Sequence, residues 1–163
     1  MMRVSPYEIS RALGLSLLQR GLKLAVAESC TGGSLSDMIT AVAGSSQWFD
    51  SGIVTYSNEA KIKLLNVSPE TLHYFGEVSH ETAIEMARGV LNRCQVDVSL
   101  SITGVAGPSG GTEVKPVGTV CFGMAFSNGT IAWRQKLFDS GRQHVRDSAV
   151  NFALGWLLHT LQN

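Results

Sequence analysis

The chain predicts a layered α/β/α fold, in which a mixed β-sheet carries helices on both faces. Three observations lead there. Short apolar runs of strand length, such as Leu24-Ala25-Val26-Ala27 and Val96 to Thr103, alternate with segments of helical periodicity. Helix starts are marked by Ser5-Pro6, Ser57, Ser68-Pro69 and Ser79. Late in the chain, Val117 to Ser127 and Ile131 to Phe138 read as strands joined through Asn128-Gly129, a hairpin signal that makes part of the sheet antiparallel.

Each element has its own grounds. Ser5-Pro6-Tyr7-Glu8 is a capping box with proline at the first helical position, so a helix is expected from about residue 6 to 20, ended by Gly21. Residues 23–28 form the first buried strand. Thr31 to Val42 reads as a helix with Leu35, Met38, Ile39 and Val42 on one face. Phe49 to Tyr56 alternates as a strand, and Ser57 caps a short helix through Leu65. Ser68-Pro69 opens another, ended by Gly76, and Ser79 caps a longer one over residues 80–93. Residues 104–116 are too rich in glycine and proline for a regular element. After the hairpin, expected as a type I′ turn, Asp139 or Ser140 caps a final helix over about 142–161. That helix is apolar on more than one face, so it is either sandwiched in the core or part of a subunit contact.

At 163 residues the chain is expected to form a single domain over residues 1–163. Thirteen basic residues balance thirteen acidic ones, which leaves no global field for nucleic acid or anionic lipid. No apolar run approaches the roughly 18 residues of a membrane span. Three widely spaced cysteines suggest reduced thiols, and a cytoplasmic location is expected. The four histidines show no ligand spacing, so no metal is expected.

Chemistry concentrates in three segments that should reach the carboxyl ends of the parallel strands. The first is Glu28-Ser29-Cys30-Thr31-Gly32-Gly33, where a buried strand ends on a serine. A helix starting there would set backbone N–H donors beside an attacking hydroxyl, the pairing that acyl transfer needs. Alternatively, Ser29 or Thr31 merely caps the helix. The second is Thr55 to Lys61. Lys61 is a general base if its pKa is depressed, or else a solvated lysine. Lys63 is its rival, and the two point roughly 200° apart on a helix. The third is the glycine loop from Thr103 to Val117, which has neither dinucleotide nor P-loop spacing but suits close backbone approach to a ligand. Lys115, Arg142 and Arg146 are candidate anchors for an anion, with Arg142 favoured by its place in the first turn of the last helix. Cys30 is a competing nucleophile beside Ser29.

Together, Ala27-Glu28-Ser29-Cys30-Thr31-Gly32-Gly33, Thr55-Tyr56-Ser57-Asn58-Glu59-Ala60-Lys61, Gly104-Val105-Ala106-Gly107-Pro108-Ser109-Gly110-Gly111 and Lys115-Pro116-Val117-Gly118-Thr119-Val120 resemble the signatures of the CinA C-terminal domain family, in order and at the usual spacing. The resemblance implies an amidohydrolase that converts nicotinamide mononucleotide (NMN) and water to nicotinate mononucleotide and ammonia, recycling pyridine nucleotides toward NAD. It implies a Ser29/Lys61 dyad and a homodimer, with no cofactor. On that basis the backbone at Thr31, Gly32 and Gly33 is expected to hold the oxyanion. Glu28 or Tyr56 is expected to favour the pyridinium cation. Asn58, Thr103, Gly104, Gly107 and Gly111 are expected to line the nucleotide, with Arg142 nearest the 5′-phosphate. Two other readings stay open: a catalytically silent nucleotide-binding module, and an amidase for another amide.

Overall fold

The computed structural model describes residues 4–163. Ser5 accepts from the Glu8 backbone N–H and Glu8 Oε2 accepts from the Ser5 backbone N–H, which starts α1 (Pro6–Arg20) as a reciprocal capping box; Gly21 ends it in a left-handed conformation. Strands β1 (Leu24–Glu28), β2 (Phe49–Val54) and β3 (Val98–Gly104) run parallel, with β1 between the other two. Strands β4 (Thr119–Phe126) and β5 (Ile131–Leu137) complete one five-stranded sheet antiparallel, in the order β2-β1-β3-β4-β5. Helices α2 (Ser34–Thr40), α3 (Asn58–Leu65), α4 (Pro69–Phe75), α5 (His80–Cys94) and α6 (Arg142–Gln162) fill the connections. The expected α/β/α architecture is observed.

Strand parity divides the core. Leu24 and Val26 on β1, with Val98, Leu100 and Ile102 on β3, pack toward α1, α2 and α6. Ala25 and Ala27 face α5, where they meet Met86, Ala87 and Val90. On that same face β3 carries small polar residues. Ser99 Oγ donates to the Ala87 carbonyl at 2.7 Å and Ser101 Oγ to the Ala83 carbonyl at 2.5 Å. Their hydroxyls satisfy themselves on the helix backbone, so the strand stays fully buried without an orphaned donor. Gly123 opposite makes the close approach feasible, since a Cβ there would lie 2.3 Å from the Ala83 carbonyl oxygen.

Three expectations are corrected. The second helix begins at Ser34 rather than Thr31, because Gly32 (φ 58°) and Gly33 (φ 107°) are left-handed and turn the chain before it can wind. The β4–β5 turn is not type I′, since Asn128 lacks the positive φ that type requires. The Phe126 carbonyl accepts from Gly129 N and only Gly129 (φ 94°) is left-handed, giving a three-residue loop. The last helix is preceded by Gly141, which offers no side-chain cap, rather than being capped by Asp139 or Ser140.

Of the two explanations for the breadth of α6, the core position is observed. Val145, Ala149, Ala153, Leu154 and Leu157 are buried between α1 and the sheet. Phe152 and Trp156 on its flank lie under Lys136 and Arg134 of β5. The carboxyl ends of β1, β2 and β3 therefore open on one edge of the sandwich, bordered by the N-termini of α3, α5 and α6.

Candidate active site

A cleft of about 380 Å³ opens at that edge. Ser29 directly follows β1 and remains tied to the sheet, its backbone N–H donating to the Ile102 carbonyl at 2.9 Å. Its side chain therefore leaves a strand that cannot swing. Beside it, β2 ends at Val54, Thr55 N–H donates to the Glu28 carbonyl, and Ser57 caps α3 by accepting from Ala60 N–H. This capped turn sends Lys61 back under the strand ends. Its Nζ lies 3.2 Å from Ser29 Oγ and donates to the Thr55 carbonyl at 3.0 Å.

Lys61 is only 1% exposed, whereas Lys63 is exposed. Burial holds the Lys61 pKa below its ordinary value of 10.5, outweighing the nearby Glu77 carboxylate, which acts in the other direction. Among the described residues no carboxylate forms an ion pair with Lys61. An amine that holds its proton less tightly than in water thus lies beside a hydroxyl, a pairing with the geometry of base and nucleophile. Cys30 is chemically the opposite. Burial pushes its thiol up to about 11, which keeps it protonated and poorly nucleophilic.

The cleft brings together Ser29, Cys30, Tyr56, Asn58, Lys61, Thr103, Gly104, Gly107 and Arg142, residues far apart in the chain. Thr103 Oγ1 donates to the Glu77 carbonyl at 2.7 Å, which moors the start of α5 against β3. Arg142 bridges the mouth, donating to the Gly107 carbonyl at 2.7 Å and to the Tyr56 hydroxyl at 3.0 Å. Ser109 and Gly110 of the glycine loop also line the cleft, as do Glu77 and Val78, which were not singled out from sequence. Glu77 carries no motif signal; it arrives because α5 packs its N-terminus over the end of β3.

Other expected site residues lie elsewhere. Glu28 is fully buried, and its two carboxyl oxygens accept from Thr31 Oγ1, the backbone N–H groups of Gly33, Leu35 and Ser36, and Ser36 Oγ. It caps α2 from the preceding strand, so it is not a contact for a ligand cation. Two expected oxyanion donors are likewise occupied. Gly32 N–H donates to the Ser29 carbonyl at 3.0 Å and Gly33 N–H to Glu28 Oε1 at 3.2 Å. Within this corner, the N–H groups of Cys30 and Thr31 have no oxygen acceptor among the described residues. Gly111 faces its own loop, since a Cβ there would lie 2.6 Å from Val117 N. Lys115 donates to the Phe75 carbonyl and Arg146 to the backbone of the Ser29 corner, and of the three candidate anchors only Arg142 lines the cleft.

Comparison with known proteins agrees with this picture of the fold. Residues 7–161 match the family described as the CinA C-terminal domain. A nicotinamide-nucleotide amidohydrolase PncC of Enterobacter agglomerans is 47% identical over 148 residues, spanning 91% of this chain and 90% of that protein. The PncC of Escherichia coli strain K12 is 46% identical over 147 residues, covering 90% and 89%. Among solved structures, a competence or damage-inducible protein from Enterobacter asburiae superposes with a TM-score of 0.94 at 40% identity, covering 98% of this chain and 99% of that one.

Proposed function

The chain belongs to the CinA C-terminal domain family, and on that premise we propose that it hydrolyses the carboxamide of NMN to nicotinate mononucleotide and ammonia. The observation that carries the proposal is the contact between Ser29 Oγ and the buried amine of Lys61, whose pKa burial lowers, on the floor of a cleft. Ser29 Oγ attacks the carboxamide carbon while its proton passes to Lys61. The carbonyl π pair moves onto oxygen, and the N–H groups of Cys30 and Thr31 receive the resulting oxyanion. When the intermediate collapses, the C–N bond breaks and Lys61 returns the proton to the leaving nitrogen, which departs as ammonia. Water, deprotonated by the same amine, then attacks the ester carbon, the bond to Ser29 Oγ breaks to free the acid, and Lys61 returns the proton to Ser29 Oγ. Atoms and protons balance without any further reactant.

The cleft also suits the nucleotide. Arg142 and the uncapped N-terminus of α6 form a cationic mouth for a phosphate. Glu77 supplies the negative charge that a pyridinium ring would meet, replacing Glu28 in that role. The product is the acid form of the mononucleotide, so the reaction returns cleaved pyridine nucleotide toward NAD. The three cysteines are unpaired, as in a reducing cytoplasm.

The test is ammonia release from NMN by the wild type, Ser29→Ala and Lys61→Ala. Turnover by the wild type, reduced at least about 1,000-fold in both folded variants, is the expected result. Saturable NMN binding without ammonia release would make the protein a silent binding module. Turnover retained in Ser29→Ala would exclude the dyad.

A further inference from the structure

The corner carrying Ser29 is held from two sides by groups of opposite charge. Beneath it, Glu28 gathers the N–H groups that start α2. Above it, Arg146 reaches across from the second turn of α6. Its Nε donates to the Cys30 carbonyl at 3.1 Å, and its Nη2 to the Thr31 carbonyl at 3.2 Å and to Ser34 Oγ at 3.3 Å. The remaining arm, Nη1, donates to Gln143 Oε1 at 3.2 Å. Among the described residues no carboxylate pairs with this guanidinium. A half-buried arginine is thus committed to main-chain carbonyls of the two residues that follow the candidate nucleophile.

Peptide planarity gives this contact a consequence. In a trans peptide the C=O of one residue and the N–H of the next point in opposite directions. With the Cys30 carbonyl drawn toward Arg146 of α6, the Thr31 N–H points away from that helix. The Ser29 carbonyl is likewise held, by Gly32 N–H, which fixes the plane bearing the Cys30 N–H. Those two N–H groups are the ones within the corner that the chain leaves without an oxygen acceptor. Resting on the serine-amidase reading above, we propose that Arg146 is a positioning residue: its bond to the Cys30 carbonyl sets the Thr31 N–H, and its bond to the Thr31 carbonyl sets the Gly32 N–H, whose hold on the Ser29 carbonyl sets the Cys30 N–H, so that the two free N–H groups face the oxyanion formed at Ser29. Lysine cannot replace it, because a single ammonium lacks the planar fork that spans two carbonyls and a hydroxyl.

The experiment compares wild type, Arg146→Lys, Arg146→Gly and Gln143→Ala in steady-state NMN hydrolysis, with melting curves for each. Wild-type turnover must be present; its absence defeats the amidase reading and not the role of Arg146 specifically. Given turnover, Arg146→Lys should lower kcat about 100-fold, the scale of a misplaced oxyanion donor, while KM stays within about 3-fold. Millimolar guanidinium should restore part of the activity of Arg146→Gly and none of that of Ser29→Ala. Gln143→Ala, an exposed position that frees one arm of the fork, should show a smaller loss confined to kcat. Wild-type kcat in folded Arg146→Lys would overturn the proposal. So would losses that track only the folded fraction, with no rescue by guanidinium and no effect in Gln143→Ala.

Discussion

A lysine amine enclosed to 1% exposure, with one hydroxyl and one carbonyl for company, holds its proton less tightly than one in water, because burial penalises the ammonium form. Glu77 opposes this by favouring the charge. Activity that needs the neutral amine must therefore rise with pH through the lowered Lys61 pKa. Replacing Glu77 with glutamine should move that acid limb to lower pH, which a kcat/KM profile reads directly; a limb that stays put would mean another group sets it. Stability carries the same sign. The folded pKa lies below the unfolded value of 10.5, so the unfolded chain binds the extra proton between them. Burial of Lys61 costs stability at low pH, and the cost is relieved progressively as pH rises from the folded pKa to 10.5. The pairing of Ser29 with Lys61 was legible because the motif fixes position along the chain; helix geometry said only that Lys61 and Lys63 could not both face the site, and motif position chose Lys61, the one found buried. Glu28 was misread for a reason also visible in the sequence. It shares strand parity with Leu24 and Val26, whose side chains face the core.

The corner between β1 and α2 is where local signals and structure part. The glycines that were expected to offer donors to a ligand instead delay the helix by three residues, and the acid before them takes the freed N–H groups. Glu28 acts as an N-terminal cap reaching from outside the helix, a relation that Ser/Thr/Asp/Asn patterns do not reveal. Because all five donors converge on one buried carboxyl group, Glu28→Gln turns an acceptor into an opposing donor. Unfolding in urea should show a loss of about 2–4 kcal/mol. A contact for substrate would behave otherwise, raising KM while leaving the urea midpoint in place. The helices with a serine cap or an early proline were readable to within a residue or so. Of those entered through glycine, α2 was misread at its start and α6 in its capping residue, because glycine gives no side-chain cap to recognise.

Across the whole molecule, the strand order β2-β1-β3-β4-β5 turns a linear sequence into one edge where residues 29, 61, 77, 103–110 and 142 meet. Composition and periodicity gave the layers and the antiparallel hairpin, but not that order, which depends on long-range pairing that no local pattern encodes. A ligand bridging these segments must stabilise the sheet, α3 and α6 together. With Ser29→Ala to block turnover, NMN at about 100 times its Kd should add about 2.7 kcal/mol, or several degrees in Tm. Calorimetry should show one transition moving as a unit, whereas a split peak with only one part shifting would assign the cleft to a separable piece. Nicotinamide riboside, which lacks the phosphate, should give a smaller shift at equal concentration. Arg142→Ala should shrink the NMN shift toward that of the riboside and leave the riboside shift nearly unchanged, because only the phosphate meets the guanidinium. Equal losses for both ligands would instead mean that Arg142 acts by holding Gly107 and Tyr56 in place, with the phosphate bound elsewhere along the cleft.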